Sequence, residues 1–126
     1  NRKGCFVIKT NQIIYDFWKA GHLHKGKMLS LGQHKPCDGY RDSNGNNIAE
    51  EIGDVVRGVF GINGHTVTYK LTEFIRKLIG AWSVGCQVFN RTKDYWKMLR
   101  IIKEAGQKYV TYAVLKEWDK DEKMAA

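Results

Sequence analysis

The sequence predicts an α+β domain, with strands first and a helix between the late strands. Three observations carry that expectation. Thirteen glycines and a single proline break the chain into short β-prone runs. One late segment, residues 92–105, has helical periodicity. The run after it, "YVTYAVL" at 109–115, alternates and is rich in β-branched and aromatic residues. A chain of 126 residues fits one domain, 1–126. At that size about two thirds of the unfolded surface is buried, enough for a core without staples. No internal repeat or linker divides it.

The elements follow in order. "CFVIKTNQII" reads as one strand, or as two joined by a turn at Thr10-Asn11. "KGKMLSLGQH" shows short alternation after Gly26, and "CDGYRDSNGNN", 37–47, reads as a loop on composition. "DVVRGVFGING" places Val55, Val56, Val59, Phe60 and Ile62 in a β-prone stretch interrupted by glycines, and "TVTYKL" continues it. "TEFIRKLIG" fits one or two helical turns between Thr72 and Gly80, and "GCQVF" a short strand. Thr92 is placed to cap the main helix, with Asp94 favouring its dipole and Gly106 ending it. Tyr95, Met98, Leu99, Ile102 and Ala105 form its apolar face. "DKDEKMAA" is expected to fray.

Net charge is +8 with a pI near 9.5. That favours polyanions: nucleic acid, anionic lipid or acidic wall polymer. The cations are scattered, however, and an ordinary solvated surface explains them equally well. No apolar run approaches the roughly 18 residues of a membrane span, and no basic-then-apolar leader pattern is visible. The chain begins at Asn1 rather than Met, as an excised or processed domain would. Cysteines stand at 5, 37 and 86. The odd count leaves at least one thiol unpaired. A Cys5–Cys37 bridge and three reduced thiols are both open, and without a C-x-x-C spacing neither a zinc ribbon nor a thioredoxin-type site is expected.

Several groups invite a functional reading. "YRDSNGNNIAEE" places Asp42, Asn44 and Glu51 around Gly45 as in a calcium loop, but Tyr40 falls on the first ligand position, so a plain Asn/Gly/Asp turn is preferred. His22 and His24 would share a strand face and could hold a metal, but nothing nearby completes a site, so two exposed histidines in a basic loop are the expectation. His34 lies near a turn and is ambiguous. Trp18, Trp82, Trp96 and Trp118 could stack bases, yet they do not interleave with Lys or Arg in a recognisable module.

His65 and Cys86 are the sharper pair. A thiol becomes a useful nucleophile when an imidazole beside it favours the thiolate. The segment between them is long enough to fold back and join its ends. Gly85 leaves room for a substrate carbonyl and permits backbone angles that aim N–H groups at an oxyanion. Ser83 could orient the imidazole or line the pocket. On composition alone, a cysteine after glycine is more often a small buried hydrophobe.

The order His65, a gap, then "S-V-G-C" at 83–86 resembles the catalytic signature of L,D-transpeptidases, the YkuD-type cysteine enzymes of bacterial cell walls. The likeness spans residues 58–116, about half the chain, including the helix and "YVTYAVL" after "GAWSVGCQVFN". It implies a mostly-β L,D-transpeptidase-like fold of sandwich or barrel-like sheets with one main helix near 92–105. It also implies Cys86 as nucleophile, His65 as base, Ser83 and Gly85 in the catalytic turn, and a Cys86 acyl-enzyme on peptidoglycan stem peptides. An amine acceptor gives transpeptidation; water gives carboxypeptidase or endopeptidase action. No cofactor or metal is implied, and the setting would be periplasmic, wall-associated or secreted, or part of a phage-borne protein. Two details depart from the pattern. Gln87 and Val88 occupy the places of an aliphatic residue and then Arg or Asn, and His65 is flanked by Gly64 and Thr66 instead of being followed by glycine. Trp82, Gln87, Asn90 and Arg91 are the expected substrate-binding set. From another class, a non-catalytic module binding wall polymer or nucleic acid, with Cys86 buried, is the alternative.

Overall fold

A computed structural model of the chain describes residues 6–41, 50–66 and 85–115. Trp82, Ser83, Trp118, Cys5, Asp42 and Asn44, the helical turns expected at 72–80, the extended stretch expected beyond Thr66 and the tail lie outside the described residues. Within them the chain is mostly β with one helix. The order is β1 (Phe6–Ile8), β2 (Gln12–His24), β3 (Met28–Gln33), β4 (Cys37–Arg41), β5 (Val56–Gly58), β6 (Asn63–Thr66), β7 (Gln87–Phe89), α1 (Thr92–Glu104) and β8 (Tyr109–Val114). A small sheet runs β1-β4-β5 and a larger one β7-β6-β3-β2-β8. All described pairings are antiparallel except β6 with β7.

The break at Thr10-Asn11 separates two strands in different sheets, with Asn11 at φ 60°. The stretch at 37–47 is corrected in its first part: Cys37–Arg41 is a strand, and the central one of the small sheet. Its low β propensity is overridden by pairing on both sides. Gly39 is needed there, because a Cβ would sit 2.2 Å from Phe6 Cζ and 2.6 Å from the Val7 carbonyl oxygen. The histidines 22 and 24 are corrected too: they lie on β2, not in a loop.

β2 is long because two bulges bend it. Pairing with β8 shifts between Ile14 and Trp18, around Asp16 at φ 54°. Pairing with β3 shifts between Lys19 and His22, around Gly21 at φ 73°. At the first bulge the consecutive Phe17 and Trp18, 0% and 3% exposed, both pack on Tyr112, with ring centroids 5.6 and 5.2 Å away. The sheet curls. Flat, its edge strands β7 and β8 would lie about 19 Å apart, four strand spacings. Instead Tyr112 Oη on β8 donates to Gln87 Oε1 on β7 at 2.8 Å.

The helix covers the concave face. Tyr95 and Ile102 are buried and Met98 and Leu99 half-buried, as the periodicity predicts, while Ala105 is exposed. The Tyr95 hydroxyl donates to the Leu29 carbonyl and ties α1 to β3. The cap differs from expectation. Arg91 is the N-cap, with extended φ and ψ and no side-chain cap bond, and Thr92 is the first helical residue, 1% exposed. At the other end Gly106 N donates to Lys103 O at 3.0 Å and Gln107 N to Ile102 O at 3.2 Å, with Gly106 at φ 67°. That is a Schellman ending, which needs the left-handed glycine.

Gln33, at the end of β3, fixes the approach to β6. Its Oε1 accepts from Phe60 N at 2.8 Å and Ile62 N at 3.3 Å, while Nε2 donates to Gly58 O at 3.0 Å. One amide thereby satisfies backbone groups from the end of β5 through the connection to β6.

Candidate functional site

The parallel pairing of β6 with β7 builds the site. Gly64 is level with Gln87, His65 with Val88 and Thr66 with Phe89. Cys86, one residue before β7, is therefore level with Asn63. Side chains alternate along a strand, so Asn63, His65 and Cys86 share the convex face while Gly64 and Gln87 face the concave side. The gap of 21 positions between His and Cys in the sequence becomes adjacency on neighbouring strands.

His65 and Cys86 are side-chain neighbours across this register, and each is the leading influence on the other's titration. The imidazole Nδ1 lies 2.9 Å from the Thr66 carbonyl oxygen. A carbonyl only accepts, so Nδ1 carries the proton and Nε2 is left to meet the sulfur. His65 is 9% exposed and Cys86 half-buried. The His65 imidazole beside it draws the Cys86 thiol below its ordinary range; burial opposes it, and the Asn63 backbone N–H and side-chain amide reinforce it. Cys86 in turn raises His65, with burial opposing and the Thr66 carbonyl adding. Both directions favour a thiolate–imidazolium pair.

Asn63 is a site residue that the sequence reading missed. Its Nδ2 is 4.0 Å from Cys86 Sγ and donates to Gly61 O at 3.1 Å. The signal was present in "NGH": residues two apart on a strand share a face. His24 was seen but placed elsewhere; its ring lies 5.5 Å from that of His65, with planes 9° apart.

The other expected site residues are distributed differently. Gly85, at φ 155°, adjoins Cys86, and a Cβ on it would meet Phe6 Cβ at 3.1 Å. Gln87 faces the concave side and accepts from Tyr112. Asn90 and Arg91 are exposed at the turn into α1, where Arg91 Nε is 3.9 Å from Asp94 Oδ2. Trp82 and Ser83 belong to the connection outside the described residues. His34 stacks on Tyr109 with ring centroids 4.2 Å apart. Glu51 accepts the Thr10 N–H at 2.6 Å. Among the described residues no group of three or more His, Cys, Asp or Glu is placed to hold a metal ion, and no helix is long and apolar enough to cross a membrane.

Cys37 contrasts with Cys86. It is a free, buried thiol, pushed up to about 11 chiefly by burial and then by Asp38. An apolar cavity of about 460 Å³ opens on the concave side between the sheet and α1, lined by Trp18, Leu31, Gly64 and Met98 among others.

No protein-family model, no curated protein and no solved structure matches the chain.

Proposed function

We propose that the protein is a cysteine acyl-transfer enzyme acting on peptidoglycan stem peptides, with Cys86 as nucleophile and His65 as base. The observation that carries this reading is the parallel β6–β7 register, which brings His65 and Cys86 together on one face. An L,D-transpeptidase-like fold is part of the proposal; the curled, mostly-β architecture with a helix and a last strand is compatible with it. The positive net charge suits an anionic wall polymer, and a periplasmic, wall-associated or secreted setting goes with that substrate.

The chemistry follows from the pair. His65 Nε2 takes the Cys86 proton, and the sulfur attacks a stem-peptide carbonyl carbon. The tetrahedral intermediate collapses as the C–N bond breaks, and the imidazolium returns its proton to the departing amine. A thioester remains on Cys86. A second amine, losing a proton to His65, attacks that thioester and forms a new amide. Water in the same role gives a carboxylic acid. Either way the thiol is regenerated.

Two measurements test the proposal. Cys86 is expected to alkylate rapidly at neutral pH, and His65→Ala to slow it by about tenfold or more. The protein incubated with purified peptidoglycan is expected to change the muropeptide pattern, with cross-linked products for an amine acceptor and trimmed stems for water, and Cys86→Ala to abolish the change. An unreactive Cys86 in the native protein, or an unchanged muropeptide pattern, overturns the enzyme reading and leaves a binding module.

A further inference from the structure

The bulge in β2 decides which way two histidines point. On one side of it Lys19 pairs with Gly32; on the other His22 pairs with Ser30 and His24 with Met28. Ala20 and Gly21 together stand opposite Leu31 alone. Without that extra residue, strict alternation would turn His22 and His24 to the concave face. With it, they share the face of Ser30 and Gly32. The β3–β6 register, Leu31 with Gly64 and Gly32 with Asn63, makes this the face of Asn63 and His65 as well. Gly21 permits the bulge at φ 73°. The packing agrees. The His22 ring lies over Gly32, where a Cβ would come within 2.7 Å of His22 Cγ. The His24 ring lies nearly parallel to that of His65, with centroids 5.5 Å apart.

We infer that His24 is a positioning residue for the His65–Cys86 pair: its ring, turned onto the site face by the Gly21 bulge, stacks on His65, holds the imidazole plane with Nε2 toward the sulfur, and offers a neutral aromatic face to the imidazolium. The inference rests on the proposed roles of that pair. A flat neutral ring against a cation is favourable, whereas a second cation stacked on the ring would oppose the imidazolium. The groups facing His24 are His65 on β6, Lys25 in the adjoining turn and His22 on its own strand; burial and these three keep it below the ordinary imidazole range. The two opposite directions favour the proton on His65 over His24.

The test is the pH profile of Cys86 alkylation by iodoacetamide, read by peptide mass spectrometry on the full chain. His24→Ala and His24→Gln are expected to lower the neutral-pH rate about threefold to tenfold, the range a lost ring–cation contact gives, and to move the acid limb to higher pH. His24→Phe is expected to restore the parent profile, which a merely structural loss would not predict. If the Ala and Gln profiles superimpose on the parent while His65→Ala still slows labelling, the His24 role is overturned and the pair stands. If His24→Phe behaves like His24→Ala, ring stacking is not the cause and the inference also fails. If His65→Ala leaves labelling unchanged, the pair itself fails and His24 has nothing to position.

Discussion

Asn63 holds its side-chain amide nitrogen 4.0 Å from the Cys86 sulfur, and its backbone N–H also helps to lower the Cys86 thiol. The contact follows from the β6–β7 register, which sets the two residues level on one face. Both donors favour the thiolate, but only the side chain can be removed by substitution. Asn63→Ala is expected to slow Cys86 alkylation at neutral pH by about twofold to fivefold, the scale of one modest hydrogen bond. Asn63→Asp is expected to slow it more, because a carboxylate repels the thiolate. Equal rates in both variants would show that the amide does not bear on the thiol.

The two described thiols should separate by pH. Cys86 is held below the ordinary thiol range, first by the neighbouring His65, so its labelling rate should persist as pH falls below that range. Cys37 is raised to about 11, so it should stay unlabelled in the native protein and react once the chain unfolds. The sign for stability follows from the same shift. The unfolded Cys37 thiol ionises at a lower pH than the folded one, so the unfolded chain loses its proton first. The Cys37 contribution is thus complete below the unfolded value and is lost as pH rises toward about 11. Urea unfolding across the alkaline range should show that decline, and Cys37→Ala should reduce it. A native Cys37 that labels as fast as Cys86 would contradict the assignment.

Phe6 links the small sheet to the Gly85–Cys86 turn. Its ring lies on Gly39, and its Cβ lies where a Cβ on Gly85 would come within 3.1 Å. Gly39→Ala forces the side chain against both the Phe6 ring and the Val7 carbonyl, so it is expected to cost about 1–3 kcal/mol. The displaced β1 is expected to move the Gly85–Cys86 turn and slow alkylation too. Gly106→Ala is the control. Its φ is 67° and nothing lies within 4 Å of its Cβ position, so it should cost about 1 kcal/mol through the backbone alone and leave alkylation unchanged. Thermal unfolding with thiol labelling on both variants decides; equal labelling in the two would break the link through Phe6.

What could be read in the sequence was local. The helix at Thr92–Glu104, its glycine stop and the strand Tyr109–Val114 follow from periodicity and capping chemistry within a few residues. The nearness of His65 and Cys86 was anticipated from a motif, and its geometric cause is the parallel β6–β7 register. What stayed hidden was non-local. The length of β2 depends on bulges at Asp16 and Gly21 that only the partner strands reveal. Strand β4 has a turn-like composition and becomes a strand because β1 and β5 pair with it. The face of His24 hangs on a single extra residue, so no count of alternation along β2 could find it.

Gln87 was expected to bind substrate, yet its Oε1 accepts from Tyr112 Oη at 2.8 Å on the concave side. That bond joins the two edges of the curled sheet, which makes a structural role the simpler expectation. Tyr112→Phe and Gln87→Met are each expected to lower stability by about 0.5–1.5 kcal/mol, the net worth of a typical hydrogen bond, with some excess if the remaining partner is left unsatisfied. Because both remove the same bond, the double variant should cost less than the sum of the two. Cys86 alkylation should be unchanged in all three, since the bond lies on the opposite face from the sulfur. A strictly additive cycle, or a Gln87→Met protein of parent stability whose action on peptidoglycan shows a raised KM, would return Gln87 to the substrate site.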